Sequence, residues 1–150
     1  LMELNDLKPK DFALLHPSGS LGKKLNLKIR DLLKDDFKPQ VSPKTKMKDV
    51  ILEISRKRLG ATVVIEDNSI VGMITDGDIR RVLEKNDKIS ELNADQFMTK
   101  NPKCVRDNIM AIDALYLMQN KKINHLIIID HKDSYVGITH ILDFINEGLN

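Results

Sequence analysis

Ile70-Val71-Gly72-Met73-Ile74-Thr75-Asp76-Gly77-Asp78-Ile79 returns later in the chain as Tyr135-Val136-Gly137-Ile138-Thr139-His140-Ile141-Leu142-Asp143-Phe144. In both copies an apolar strand runs to a Gly, and six residues beyond it an Asp falls in the first turn of a helix. Such a junction gathers backbone N–H groups and one carboxylate at a common edge, where the phosphate and ribose of a nucleotide can be held. Working outward, adding 64 to the residue number carries Val41 to Val105, Asp49 to Asp113, Lys57 to Lys121 and Ile65 to Ile129. Adding 65 then carries Gly72 to Gly137 and Asp78 to Asp143, so one residue has been inserted, in a turn. A period this long, present twice, predicts two equivalent subdomains rather than a solenoid.

Within the first copy, Met47, Val50, Ile51 and Ile54 follow the i, i+3, i+4, i+7 spacing of a helix with one buried face. Gly60 supplies a stop, because Gly takes a left-handed cap cheaply. Ala61 to Ile65 reads as a strand, Asp67-Asn68 as a turn, Ile70 to Ile74 as an antiparallel strand, and Asp76 to Leu83 as a helix. The second copy gives Ala111, Ala114, Leu115 and Met118 on the helix face, Leu126 to Ile129 as strand, and His131-Lys132-Asp133 as turn. Tyr135 to Thr139 as strand and Ile141 to Asn146 as helix complete it, and short helical turns at Ile29 to Leu33 and Asp95 to Met98 lead into the two copies. With extended pieces at Val41 and Val105, the expected fold is α/β, two β-α-β-β-α repeats related by a pseudo-two-fold axis. One such unit cannot close its own core; two can, with their sheets side by side and a cleft between them lined by strand ends and helix starts.

The 150 residues are enough for a core without disulfides, and a single cysteine, Cys104, leaves no internal pair and fits a reducing, cytoplasmic setting. No signal peptide and no membrane-length apolar run is present in the sequence. Interspersed charges summing to +2, with 4% aromatic residues, argue against a base-stacking nucleic-acid surface. The chain opens at Leu1 and carries Phe12, Leu14, Leu15, Leu21 and Leu25 in a segment without a partner repeat. It therefore reads as part of a longer protein, divided as 1–28 (tail of a preceding domain and linker), 29–90 (first repeat) and 91–150 (second repeat). Gly19-Ser20-Leu21-Gly22 before Lys23-Lys24 lacks the order of a P-loop.

An apolar strand, Gly, a hydroxyl residue, two spacers and Asp, twice in tandem, resembles the paired cystathionine-β-synthase-type (CBS) domains, which bind nucleotides and regulate a partner domain. A second resemblance is carried by Phe12-Ala13-Leu14-Leu15-His16-Pro17-Ser18-Gly19-Ser20-Leu21-Gly22-Lys23-Lys24-Leu25, Leu59-Gly60-Ala61-Thr62-Val63 and Thr75-Asp76-Gly77-Asp78-Ile79-Arg80-Arg81. Together these resemble the D-arabinose 5-phosphate isomerases, in which a sugar-isomerase domain precedes the CBS pair. That family implies interconversion of D-ribulose 5-phosphate and D-arabinose 5-phosphate, the entry to Kdo and lipopolysaccharide. It implies a catalytic role for His16 in the context of the isomerase domain, although Ser18 stands where glycine is usual. A homo-dimer or tetramer is expected with it, and the effector is expected to be of nucleotide type: CMP-Kdo, by the logic of the route joined to the site, or, in the generic-sensor reading, an adenine nucleotide.

Thr75 and Asp78 are spaced as a capping box, which needs no ligand. In the second copy His140 replaces the hydroxyl yet Asp143 keeps its place, and a cap without its capping residue explains Asp143 poorly; both acids are therefore read as ribose-binding. His125 and His140 are expected to face the same cleft and contact anion or hydroxyl groups, since no carboxylate or thiol stands at metal-ligand spacing. Thr62, Arg58 and Lys122 complete the candidate ligand set; the two cations equally suit helix C-termini. Arg80 and Arg81 carry the same double reading. Cys104 reads as a small buried hydrophobe. The repeats show no catalytic constellation, no metal site and no cofactor. Three functions stay open: a regulatory module of the isomerase, a generic adenine-nucleotide sensor, and a purely structural oligomerisation module.

Overall fold

The computed structural model describes residues 26–33, 38–57, 60–85 and 87–149. The first repeat runs β1 (Gln40–Val41), α1 (Met47–Lys57), β2 (Ala61–Glu66), β3 (Ser69–Thr75) and α2 (Asp76–Lys85), followed by β4 (Thr99–Lys100). The second runs β5 (Cys104–Arg106), α3 (Ala111–Lys121), β6 (His125–Ile129), β7 (Tyr135–His140) and α4 (Ile141–Asn146). Each repeat forms its own sheet, ordered β1-β2-β3-β4 and β5-β6-β7, with the leading strand parallel and the hairpin antiparallel. In the first hairpin Asp67 and Asn68 both take positive φ (51° and 64°), the two-residue turn whose twist matches its strands.

The sheets meet face to face, not side by side. Strand alternation shows why: Ala61 and Val63 of β2 share a core with Ile127, Tyr135 and Ile138 of the other sheet. The intervening Val64 packs under α1 and α2 with Ile74, and Leu126 and Ile128 pack under α3 and α4. A strand buried on both faces needs apolar residues at every position, and β2 and β6 have them in nearly every place. The inter-repeat seam is also pinned by Tyr135, whose hydroxyl donates to the Pro39 carbonyl at 2.7 Å. Burial, with the Glu53 charge adding, pushes this phenol far above its usual range, so it stays a donor.

The expected helix faces are largely as observed. Ala111, Ala114, Leu115 and Met118 are all buried, as are Met47, Val50 and Ile54, whereas Ile51 lies 36% exposed at the edge of its stripe. Two features were not expected. Strand β4 adds to β3 through Gly72 and Met73, and Met98 just before it lies so close to Gly72 that a Cβ there would overlap its side chain. The lead-in turns are also exchanged. Ile29–Leu32, ahead of the first repeat, packs on the second, with Ile29 N–H on Ile109 and Ala111 N–H on Leu27. Ala94–Gln96, ahead of the second, packs on the first, with Ala94 N–H on Thr45 and Met47 N–H on Leu92.

Candidate ligand site

Where β3 ends, Asp76 N–H bonds the Gly60 carbonyl at 3.0 Å; where β7 ends, Ile141 N–H bonds the Asn124 carbonyl at 2.9 Å. These matched contacts, each within its own repeat, tie the start of α2 to the entry of β2 and the start of α4 to the entry of β6. Gly60 takes φ +72°, and a Cβ there would stand 3.0 Å from the Asp76 carboxylate and 3.6 Å from His125 Nε2. Glycine is therefore required both by backbone conformation and by the crowding of the two repeats at this point.

A cleft of about 540 Å³ opens there, lined from both repeats. The first contributes Thr75, Asp76, Gly77, Arg80 and Arg81; the second contributes Lys122, Asn124, His125 and His140. Arg80, Arg81 and Lys122 thus line the cleft with the single carboxylate Asp76, and Arg81 also pairs with Asp78 behind it, so the cations outnumber the acids there. The imidazoles meet edge to face, ring centres 4.8 Å apart, because His125 and His140 are cross-strand partners. A smaller cleft of about 290 Å³ lies at the hairpin end of the strands, bordered by Lys38, Asn68 and Tyr135.

Of the residues expected from sequence, Thr75, Lys122, His125 and His140 come together in the larger cleft. Asp78 and Asp143 do not line it. Asp78 is 7% exposed, and its oxygens accept from Thr75 N–H (3.0 Å), Thr75 Oγ1 (3.2 Å), Thr99 Oγ1 (3.1 Å) and Arg81 (2.5 Å). Asp78 N–H in turn bonds Thr75 Oγ1, completing a capping box. The argument that Asp143 lacks a capping partner fails: His140 Nδ1 accepts Leu142 N–H at 3.0 Å and Asp143 accepts His140 N–H at 2.8 Å. Imidazole does the work of the hydroxyl, because an unprotonated ring nitrogen is as good an acceptor.

Thr62 is fully buried and stands opposite Ile74 on the helix side of β2, away from the cleft. Arg58 and His16 lie outside the described residues. Asp76, Gly77 and Asn124 are additional cleft residues, and Arg80 and Arg81 join them. The signal for the α2 group was its i, i+1, i+4, i+5 spacing, which places Asp76, Gly77, Arg80 and Arg81 on one side of a helix. Among the described residues no group of three or more His, Cys, Asp and Glu could hold a metal, and no helix is long and apolar enough to cross a membrane.

The signature of the CBS domain matches residues 29–85 and 91–150. This chain belongs to the CBS-domain family. The chain is 39% identical over 97% of its length to an arabinose 5-phosphate isomerase KdsD of Francisella tularensis, covering 45% of that protein. It is 36% identical over 99% of its length to the enzyme of the same name from Pseudomonas aeruginosa, covering 46% of it. The chain thus spans slightly under half the length of these relatives. Among solved structures, a CBS domain protein from Pyrobaculum aerophilum complexed with AMP superposes with a TM-score of 0.70 at 20% identity, over 78% of this chain and 89% of the other. That likeness shows the fold of the CBS pair.

Proposed function

We propose that this CBS pair is the regulatory part of a D-arabinose 5-phosphate isomerase, and that the larger cleft binds a nucleotide-type effector, with CMP-Kdo as the ligand. The carrying observation is the shared cleft, in which Arg80, Arg81 and Lys122 converge beside the start of α2. CMP-Kdo offers a phosphodiester and a carboxylate for those cations and hydroxyls for the imidazoles. The relatives named as the isomerase support the parent activity, and CMP-Kdo, the activated product of the route this family opens, is suited to feedback. The pair itself binds and does not catalyse; isomerisation belongs to a preceding sugar-isomerase domain, with His16 near its end. The complex of AMP with the Pyrobaculum protein favours a second reading, an adenine-nucleotide sensor.

Thermal unfolding of the chain with CMP-Kdo, AMP and ATP tests both readings. A ligand at about one hundred times its dissociation constant stabilises the fold by about 2.7 kcal/mol, a melting shift of roughly 5 to 10 °C. A shift with AMP or ATP and none with CMP-Kdo overturns the feedback reading. No shift with any of the three leaves the structural module as the function.

A further inference from the structure

The two edges of the cleft are built on one plan but carry different chemistry. By the repeat, Asp76, Gly77, Arg80 and Arg81 of α2 correspond to Ile141, Leu142, Ile145 and Asn146 of α4. The charges of Asp76, Arg80 and Arg81 therefore have no counterpart on α4, where Leu142 and Ile145 stand 53% and 43% exposed, while Arg58, the repeat counterpart of Lys122, lies outside the described residues. The Leu142 N–H, which an anion at α4 would need, is already taken by His140 Nδ1. With Nδ1 accepting this amide, Nε2 is left as the ring's donor.

From this asymmetry we infer that the cleft takes one ligand per chain in one orientation. Its anionic group lies against Arg80, Arg81 and Lys122 beside the start of α2, and its hydroxylated part lies toward His125 and His140. The inference rests on the ligand-binding reading of the same cleft. A symmetric pair would hold two ligands, one at each edge; here the second edge has neither a cation on its helix nor a free cap amide for a second anion. Asp78 is a positioning residue in this scheme. Its contacts to Thr75, Thr99 and Arg81 fix one of the three cations without reaching the cleft.

Calorimetry and amide NMR of the full chain with AMP as the probe decide the matter. One AMP per chain is expected, with the largest amide shifts at Gly77, Arg80, Arg81 and Lys122 and small ones at Leu142 and Asn146. Arg80→Gln with Lys122→Gln removes two exposed cations and leaves the fold intact; it should weaken AMP by about tenfold or more, since hydrogen bonds to charged groups are the strong ones. Two AMP per chain, or shifts at α4 equal to those at α2, overturn the inference while leaving the ligand-binding reading in place. No heat and no shifts with AMP, or with CMP-Kdo in its place, remove both.

Discussion

The imidazole of His125 stands edge-on to that of His140, ring centres 4.8 Å apart, where β6 begins and β7 ends. In the first repeat the same cross-strand pair is Ala61 and Thr75. The second ring therefore has two tasks: it borders the cleft, and through Nδ1 it caps α4. His140→Ala should cost about 1 kcal/mol, and His140→Ser should recover most of it, because a hydroxyl can accept the same amide. Urea unfolding of the two variants checks this; equal loss in both would show that ring packing, not capping, is what His140 supplies.

Gly72 is held small by Met98. Gly72→Ala places a Cβ into the Met98 side chain, and overpacking of this kind costs roughly 1 to 3 kcal/mol. Met98→Ala in the same chain should return part of that loss, so the two changes together are less harmful than their sum. Strict additivity in a double-mutant cycle would contradict the contact.

Thr62 and Thr139 are fully buried, and neither hydroxyl has a hydrogen-bond partner. They occupy opposite strands of matched cross-strand pairs, Thr62 with Ile74 and Thr139 with Leu126. Replacing either by Val removes a buried hydroxyl at constant shape and should stabilise by about 1 kcal/mol. Thr62→Val should leave AMP binding unchanged, since Thr62 faces away from the cleft.

Burial pushes the Cys104 thiol up from its ordinary range, with the Lys103 charge opposing only in part. Thiolate is the reactive form, so iodoacetamide at pH 8 should modify folded Cys104 more slowly than the same residue in urea. Equal rates in the two states would show that the site is open.

The Ser134 and Lys132 amides, in that order, hold the Asp130 carboxyl below its usual range, with Ser134 N–H at 3.0 Å and Lys132 N–H at 2.8 Å. A lowered folded value means that the ionised carboxylate stabilises the turn above the unfolded pKa of about 3.9, and that this is lost as pH falls through the folded value. Asp130→Asn should therefore flatten the fall in melting temperature between pH 5 and pH 2. An unchanged slope would assign the acid sensitivity to other carboxylates.

The duplicated plan was legible because strand and helix periods recur with the same spacing in Met47, Val50 and Ile54 and in Ala111, Ala114, Leu115 and Met118. The face-to-face sheets were less so: near-continuous apolar runs in β2 and β6 signal burial on both faces but not what covers them. Strand β4 has two residues and no pattern of its own; only the glycine at position 72 hints that another chain segment passes close. At the cleft, sequence identified cations and imidazoles but placed Asp78 and Asp143 among them, because the spacing of a ligand-binding acid and of a capping acid is the same. What separates the two is the direction of the carboxylate, set by Thr75 and His140 backbone amides.

The exchanged lead-in turns decide which half of the molecule the upstream chain pulls on. Ile29 and Leu32 are keyed into the core beneath α3 and α4, and the Ile29 and Arg30 amides are fastened to Ile109 and Asp107. Traction on the chain ahead of Leu27 therefore loads the second repeat before it reaches β1. The segment just upstream of the first repeat is thus anchored in one half while the arginines of α2 stand in the other, with the cleft between them.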